Sequence, residues 1–203
     1  MPLYRSRGLT DRRTEILDGA LAVLAEQGMR GLTHRAVDAA AGLPVGSTSY
    51  YFRSRSALVG GCVARLLELD LAVEVPVVRA APVDLDGLVG ALTGVGVAMA
   101  TAQRHRTMAR YELSLAAVRD PDLRAALVRG GDTIRGLASG ALRALHALDP
   151  DAAAAELAAT LDGLVLTALV RGPHDPDALA AWLRPALSRV LRAQPGIADT
   201  PPP

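Results

Sequence analysis

The chain has 203 residues and a formal net charge of +1 at pH 7; half of its residues are hydrophobic and only 3% are aromatic. This length allows one or two domains with a real core, and the balanced charge excludes a polycation that binds nucleic acid over its whole surface. The single cysteine excludes an internal disulfide, and without a signal peptide or an uncharged apolar run of roughly 18 residues we expect a soluble, cytoplasmic protein with no membrane partner.

The N-terminal segment is basic and leads into an amphipathic helix. Its charged residues are, in order, Arg5, Arg7, Asp11, Arg12 and Arg13. Such an arm suits phosphate binding, although solvated disordered termini have the same composition. Apolar residues then recur at helical spacing, which predicts a helix over residues 11–27 that ends at Gly28.

Residues 33–58 predict two short helices, a tight turn and the start of a third helix. Thr33 can cap the first short helix, and Gly42 supplies the turn. The second short helix, over residues 44–51, is stable only if it packs on the first. Its outward side chains are small hydroxyls and tyrosines. This is the layout of a helix-turn-helix, whose second helix lies in the DNA major groove.

Several residues within this segment form a sequence pattern that is specific when its parts are taken together. Its members are Thr33, Ala40-Ala41-Gly42-Leu43, Gly46-Ser47, Tyr50-Tyr51-Phe52, Ser54-Arg55 and Ala57-Leu58. In these residues the segment resembles the tetracycline-repressor (TetR) family of bacterial transcription regulators. It departs from the family at Thr48, Ser49 and Ser56, where a larger apolar residue, a tyrosine and an acidic residue are common.

The rest of the chain predicts further helices and no strands. A long helix begins at Ser54 and is expected to end before Pro76. Two more helices are predicted over residues 85–103 and 104–118. Three later helices begin at an Asp-Pro pair, in which the carboxylate caps the first turn and the proline has no N–H that needs a partner. These helices are predicted over residues 121–147, 150–171 and 176–193.

The second short helix carries the side chains best placed to meet base edges. These are Val45, Ser47 and Ser49, and Val45 can touch a thymine methyl group. Gly46 belongs to the same predicted DNA-binding set.

Phosphate contacts are expected from neighbouring positions. Arg55 and Thr33 stand at helix starts, where anions are favoured, and are expected to hold phosphates. Arg35 could contact phosphate or base, and Tyr50 and Tyr51 could do the same.

A mixed polar segment in the second half of the chain is the predicted ligand site. In the family, the region of residues 104–114 and the helix before it line a small-molecule pocket. Tyr111 and Glu112 could orient a ligand in an apolar cavity; alternatively, Glu112 makes a surface pair and Tyr111 is a core residue. The residues predicted to bind the effector are Met99, Arg104, Met108, Tyr111 and Glu112.

The predicted helix over residues 150–171 is apolar on nearly every side, and Asp162 is the one charge in its central part. One face can be buried in its own bundle, and a second copy of the chain is the natural cover for the other. The alternative is an internal core helix in a monomer. Family members dimerise through their last two long helices, which here places four residues at the interface: Leu161, Leu164, Leu183 and Leu187.

Together, these patterns and the resemblance predict an all-α homodimer. Residues 1–55 would form a three-helix helix-turn-helix domain, a long helix would join it to a ligand-binding and dimerisation bundle over residues 56–193, and residues 194–203 would be a disordered tail. The protein would be a repressor, released from a palindromic operator in double-stranded DNA by a small-molecule effector. The scattered histidines and the absence of lysine predict no metal, cofactor or catalytic site. The alternative function is a helical interaction module that uses the helix-turn-helix for packing only.

Overall fold

The computed structural model describes residues 4–80, 82 and 84–197, without the side chains of residues 4–11, 74, 78 and 79. Within these residues there are nine helices and no strand, so the all-α fold predicted from the sequence is confirmed. The helices are α1 Tyr4–Gly31, α2 His34–Ala40, α3 Ser47–Tyr51, α4 Arg55–Ala80, α5 Leu85–Ala100, α6 Arg104–Ala117, α7 Pro121–Ala144, α8 Pro150–Arg171 and α9 Pro176–Arg192.

Carboxylate caps define the starts of four helices. The first-turn N–H groups of Gly87, Leu123, Ala152 and Ala178 lie 2.7, 3.0, 3.0 and 2.9 Å from carboxylate oxygens of Asp84, Asp120, Asp149 and Asp175, respectively. Each cap pairs a donor that the helix itself leaves without a partner. The three helices predicted from Asp-Pro pairs begin as expected.

Three helix boundaries differ clearly from the prediction: α1 begins at Tyr4 instead of residue 11, α3 begins at Ser47 instead of residue 44, and α4 extends past its predicted end. α4 continues through Pro76 to Ala80 instead of ending before the proline. Proline removes one backbone donor, and the carbonyl that loses its partner belongs to Ala72. Both residues are exposed, so water can replace the lost hydrogen bond and the helix survives.

The chain divides into two compact units. Unit 1 comprises Met1–Leu69 and His105–Gly130, and unit 2 comprises Asp70–Arg104 and Gly131–Pro203. The division falls within α4 and α7. The predicted domain boundary after residue 55 lies inside unit 1, because the first part of α4 belongs to that unit's core.

The core of unit 1 is formed by α1, α2, α4 and α6. Its largest fully buried side chains include Ile16, Leu24, Leu32, Phe52, Leu58 and Leu113. A Cβ atom at Gly61 would lie 2.8 Å from Cδ2 of Leu17, so glycine lets α4 approach α1 closely. Cys62 is fully buried, and burial raises the pKa of its thiol to about 12, so it remains protonated and serves as a small core residue.

The core of unit 2 is formed by α5, α8 and α9 with part of α7. α9 contributes a stripe of fully buried leucines: Leu179, Leu183, Leu187 and Leu191. Its arginines Arg184, Arg189 and Arg192 are exposed on the other side. The amphipathic pattern of α9 therefore orients the helix toward its own core.

The four leucines predicted at a dimer interface belong to this core. Leu183 and Leu187 are 0% exposed, and Leu161 and Leu164 are partly buried against the same cluster. Leu183 and Leu187 are thus covered within a single chain, whereas Leu161 and Leu164 keep part of their surface exposed. The outward face of α8 instead carries Leu166 and Val170, whose side chains are 49% and 72% exposed.

The segment that follows α9 packs onto unit 2 as far as Ile197. Gln194 donates a hydrogen bond of 3.0 Å to the carboxylate of Glu156, and Ile197 is buried. These residues fall in the predicted disordered tail and differ from that expectation because they cover apolar core surface. Residues 198–203 of the predicted tail lie outside the described residues.

Membrane-spanning composition occurs at two places in the described helices. α8 alone is long and apolar enough to cross a membrane, and so is the bent pair of α5 and α6 taken together. This is a weak indication, since core helices of soluble proteins have the same composition. Ala154, Leu157 and Ala168 of α8 are buried in the core of unit 2.

Candidate nucleic-acid interface

α2 and α3 form the predicted helix-turn-helix within unit 1. The Thr33 hydroxyl caps α2 by accepting the N–H of Ala36 at 3.1 Å. Gly42 turns the chain with a φ of +65°, and Gly46 opens α3 with a φ of +95°. These left-handed conformations favour glycine. Because α3 begins at Ser47 and not at residue 44, Val45 lies on the preceding loop.

Asp38, which the sequence analysis did not single out, joins the two helices. One carboxylate oxygen accepts the N–H of Gly46 at 2.7 Å, and the other accepts the N–H and hydroxyl of Thr48 at 2.7 and 2.6 Å. Asp38 is 2% exposed and Thr48 is fully buried. The N-cap of α3 is a glycine without a side chain, so α2 supplies the capping carboxylate. Two features of the sequence could have predicted this contact: the Asp38 carboxylate follows the apolar Val37, and Thr48 places a hydroxyl at a usually apolar position of the next helix.

These contacts also set the charge state of Asp38. Burial raises the pKa of the Asp38 carboxyl, but the hydrogen bonds from Thr48 and Gly46 and the nearby His34 together lower it by more, so the pKa lies below its ordinary value. The carboxylate therefore stabilises the fold above its unfolded pKa of about 3.9. That contribution disappears as the pH falls through the lower folded pKa.

We accordingly expect the stability difference between the wild type and Asp38→Asn to depend on pH. Near neutral pH the variant should be less stable by about 1–3 kcal/mol, since the amide cannot accept all three hydrogen bonds. The difference should narrow below about pH 4. Urea unfolding of both proteins at a series of pH values measures it, and a difference that stays constant in acid would contradict an ionised Asp38.

The outer surface of the helix-turn-helix presents five of the predicted DNA-binding residues. Val45 is 84% exposed and Tyr50 is 75% exposed, which is unusual for side chains of this size. Arg35, Gly46 and Ser49 are exposed as well. The exposed side chains of α2, α3 and the loop between them thus include an apolar group, a hydroxyl, a phenol and a cation.

Other predicted DNA-binding residues also serve the fold. The Ser47 hydroxyl donates to the carbonyl of Pro44 at 2.6 Å, and Tyr51 is half-buried with its ring edge-on to that of Tyr50, 5.1 Å away. The Thr33 hydroxyl is occupied as the cap of α2. The Thr33 hydroxyl, which accepts in the cap, and the Tyr51 phenol each have an O–H that could donate to a phosphate, whereas the O–H of Ser47 is already used.

One arginine of the basic arm, Arg13, reaches the end of α3. The Arg13 guanidinium donates to the Tyr51 carbonyl at 3.2 Å and lies over the Phe52 ring, 4.5 Å from its centroid. Arg12 forms a surface ion pair with Glu15 at 2.8 Å. The side chains of Arg5 and Arg7 lie outside the described residues. Arg53, which the sequence analysis omitted, is exposed just after α3 and adds a cation to the surface.

Arg55 occupies a different environment from the one predicted. Its guanidinium donates to the carbonyl oxygens of Leu32, in the link between α1 and α2, and of Met29, near the end of α1. A guanidinium has five donors, so these bonds leave some of them available for a phosphate. The observed contacts nevertheless give Arg55 a role in positioning α2.

We expect Arg55→Ala to reduce stability more than it changes the salt dependence of DNA binding. Loss of two bonds to carbonyls should cost about 1 kcal/mol for this exposed group. Each lost phosphate contact would lower the log–log salt slope by about 0.9, or about 1.8 for a dimer. Urea unfolding and DNA titrations, with Arg53→Ala as the matched control, separate the two effects. An unchanged stability with a lower slope would favour the phosphate role.

Glu112, a predicted ligand residue, instead fixes the end of α1. Its carboxylate accepts the N–H of Met29 at 3.0 Å, next to Gly28 with a φ of +67°. A Cβ atom at Gly28 would lie 2.9 Å from that carboxylate, so both the backbone and the contact favour glycine. Glu112 is therefore used within unit 1.

The remaining predicted ligand residues have mixed environments. Met108 and Tyr111 are half-buried in unit 1. Met99 is buried and Arg104 is exposed, and both belong to unit 2. None of them lines the cavity described next.

α5, α7 and α8 line an apolar cavity of about 90 Å³ in unit 2 that is partly open to solvent. Its walls include Leu88, Leu92, Val95, Ile134, Leu157 and Leu161. Among the described residues that line it, Arg135 is the one charged side chain, and it also pairs with Asp132. Sequence analysis missed this site because its walls are ordinary core residues with no polar pattern.

Two family profiles match the chain. Residues 16–62 match the profile described as bacterial regulatory proteins, tetR family. Residues 83–193 match the tetracyclin repressor-like, C-terminal domain. No curated protein sequence matches the chain.

Solved structures resemble the chain over nearly its full length. A transcriptional regulator from Streptomyces coelicolor A3(2) is 26% identical with a TM-score of 0.71, over 89% of this chain and 98% of that chain. A TetR family member from Streptomyces coelicolor A3 is 32% identical with a TM-score of 0.68, over 88% and 97%. The multidrug binding protein EbrR, complexed with ethidium, is 32% identical with a TM-score of 0.65, over 88% and 98%.

Proposed function

Because the chain belongs to the tetracycline-repressor (TetR) family and is a DNA-binding transcriptional regulator, we propose that it is a cytoplasmic repressor that a small-molecule effector releases from a palindromic operator. The observation that carries the DNA-reading part is the exposure of Val45 and Tyr50 on a helix-turn-helix. A helix-turn-helix used only for packing would cover these side chains, so the alternative of an interaction module is disfavoured. Regulators of this family are not enzymes.

The proposed division of labour follows the exposed chemistry. Val45 and Ser49 read base edges, with the backbone of Gly46 close to the groove floor. Arg35 and Tyr50 contact phosphates, and Arg53 adds a further cation. Tyr51, Thr33 and Arg55 support this surface and contribute phosphate contacts with the donors that remain, and Ser47 supports it through its bond to Pro44.

We propose dimerisation through the outward faces of α8 and α9. The proposal is supported by Leu166 and Val170 on α8 and by Trp182 on α9, which is 37% exposed. α8 and α9 pack together in unit 2, so a second copy could cover both helices as a four-helix bundle. Two-fold symmetry would match the two halves of a palindrome.

The effector is proposed to bind in the cavity of α5, α7 and α8. EbrR has been crystallised with ethidium and with proflavin, and these planar dyes are cationic. The cavity lining here offers no aromatic ring and no carboxylate, and Arg135 would repel a cation. We therefore propose a small neutral or anionic apolar effector.

A thermal-shift series tests the effector proposal. Short-chain apolar carboxylates should raise the melting temperature, and ethidium should not. Ala158→Leu, which places bulk in the cavity lining, should abolish the shift, whereas the exposed Ala152→Leu should not. A strong shift with ethidium alone would contradict the proposed ligand class.

A hit must also release DNA. Moving the ratio of the released form to the DNA-binding form from 1:99 to 99:1 requires an effector that binds the released form more tightly by roughly 5.5 kcal/mol. DNA competition with the hit measures this coupling. In a transcription reaction from a promoter that overlaps the selected site, the protein should lower transcript yield and the hit should restore it. A rise in yield with protein alone would identify an activator.

A further inference from the structure

We propose that Asp38 and Thr48 are a matched positioning pair that orients α3 and thereby determines which DNA sequence the protein selects, although neither side chain reaches the DNA. The inference rests on DNA binding by α2 and α3. It deepens that function by assigning part of the sequence specificity to two buried residues behind the reading surface.

α3 depends on this pair because it cannot hold its own position. The helix has five residues, and helices this short are unstable without tertiary contacts. Its N-cap, Gly46, makes no side-chain cap. The Asp38 carboxylate replaces that cap from α2.

The geometry of the contacts leaves the carboxylate little freedom. Its two oxygens bind different donors: one binds the N–H of Gly46, and the other binds the N–H and hydroxyl of Thr48. Rotation of the carboxylate would break at least one of these bonds. Two of the three donors are backbone groups of the α3 N-terminus, so the contacts fix the angle between α2 and α3 as well as their separation.

Burial separates this role from a direct contact with DNA. Thr48 is 0% exposed and Asp38 is 2% exposed, whereas Ser49 and Tyr50, the next two residues, are exposed. A tilt of α3 about Thr48 would carry these side chains with it. Hydrogen bonds to base edges weaken within a few tenths of an ångström and a few tens of degrees, so a small tilt alters base discrimination.

The two side chains also match each other chemically. An apolar residue at position 48 would remove one donor from a buried carboxylate, and an apolar residue at position 38 would leave the Thr48 hydroxyl without its acceptor. The first change weakens the hold of a buried carboxylate on α3, and the second leaves buried donors without an acceptor. We infer that the departure from the family pattern at Thr48 accompanies the carboxylate at Asp38.

The test compares Thr48→Val, which keeps the branched shape without the hydroxyl, with Thr48→Ser, which keeps the hydroxyl. The full-length wild type first selects binding sites from a pool of double-stranded oligonucleotides with a random central segment. Affinities of all proteins are then measured for the selected site, for single-base variants and for unrelated DNA at one salt concentration. Thr93→Val is the matched control, because Thr93 is a buried threonine of unit 2 whose hydroxyl donates to the Val89 carbonyl at 2.7 Å.

We expect Thr48→Val to lower the ratio of specific to unrelated-DNA affinity by roughly tenfold, the value of one good base contact. Its salt slope should match the wild type, since no phosphate contact is removed. Thr48→Ser should keep the wild-type ratio of specific to unrelated-DNA affinity. Thr93→Val should also keep this ratio, even if the substitution lowers the stability of unit 2. A Thr48→Val protein with the wild-type ratio would overturn the proposal.

Asp38→Asn completes the test as a double-mutant cycle. The effects of Asp38→Asn and Thr48→Val on the specificity ratio should be strongly non-additive, because both changes disrupt the same contact. Additive effects would overturn the pairing. If the wild type selects no sequence at all, the proposed DNA-binding function fails. If it selects a site and the variants bind that site with wild-type specificity, only the proposal about Asp38 and Thr48 fails.

Discussion

Leu187→Arg is expected to unfold unit 2, whereas Val170→Arg is expected to give a folded monomer that no longer binds an operator. Leu187 is fully buried among the leucines of α9, so an arginine there places an uncompensated charge in the core. Such changes cost more than about 4 kcal/mol. Urea unfolding followed by circular dichroism should show loss of a cooperative transition for this variant.

The Val170 side chain has the opposite environment. It is 72% exposed on the outward face of α8, so the folded chain tolerates a charge there and a dimer interface does not. Val118→Arg is the matched control, because Val118 is 76% exposed and lies in unit 1. Sedimentation velocity and operator titrations measure both effects. A Val170→Arg dimer with normal affinity, or a wild-type monomer at micromolar concentration, would refute the proposed interface.

Operator affinity of the wild type should fall by roughly a thousandfold between about 50 and 200 mM salt if the dimer contacts about six phosphates. Arg35→Ala should lower the slope by about 1.8, since each subunit loses one contact. Arg189→Ala, an exposed arginine on α9, should leave the slope unchanged. Titrations of the selected site at several salt concentrations give these slopes. A slope near zero for the wild type would contradict DNA binding through phosphates.

Local chemistry explains which features the sequence could predict. The Thr33 cap of α2 and the Asp149 cap of α8 each join residues three positions apart, and their backbone partners are fixed by helix geometry. The Asp38 contact spans ten residues across a turn. Its existence depends on where α3 begins and how it packs, and residue spacing alone determines neither.

The packing of an apolar helix is harder to predict than its existence. The stripe on α9 correctly predicted that Leu183 and Leu187 share a face, but amphipathicity is the same whether that face meets its own core or a partner. On α8, apolar residues occur on every side, so periodicity did not distinguish the buried Leu157 from the exposed Leu166. Only the packing of unit 2 separates them.

The partners of long charged side chains are also hard to predict from sequence, which limits the prediction of phosphate and ligand contacts. Arg55 and Glu112 have the residue types expected of phosphate and ligand contacts, yet both bind backbone groups near the end of α1 or in its link to α2. A guanidinium or carboxylate can satisfy either kind of partner, and the choice depends on distances that only the fold provides.

The bond between Glu112 and Met29 has a consequence for synthesis of the protein, because its partners are 83 residues apart. Translation proceeds at about 5–20 residues per second, so α6 is completed roughly 4–17 seconds after the Met29 segment is made. During that interval the core of unit 1 lacks Ala109 and Leu113, and apolar side chains such as Leu24 remain incompletely covered. Unit 1 of the nascent chain is thus open to chaperones and proteases until α6 leaves the ribosome.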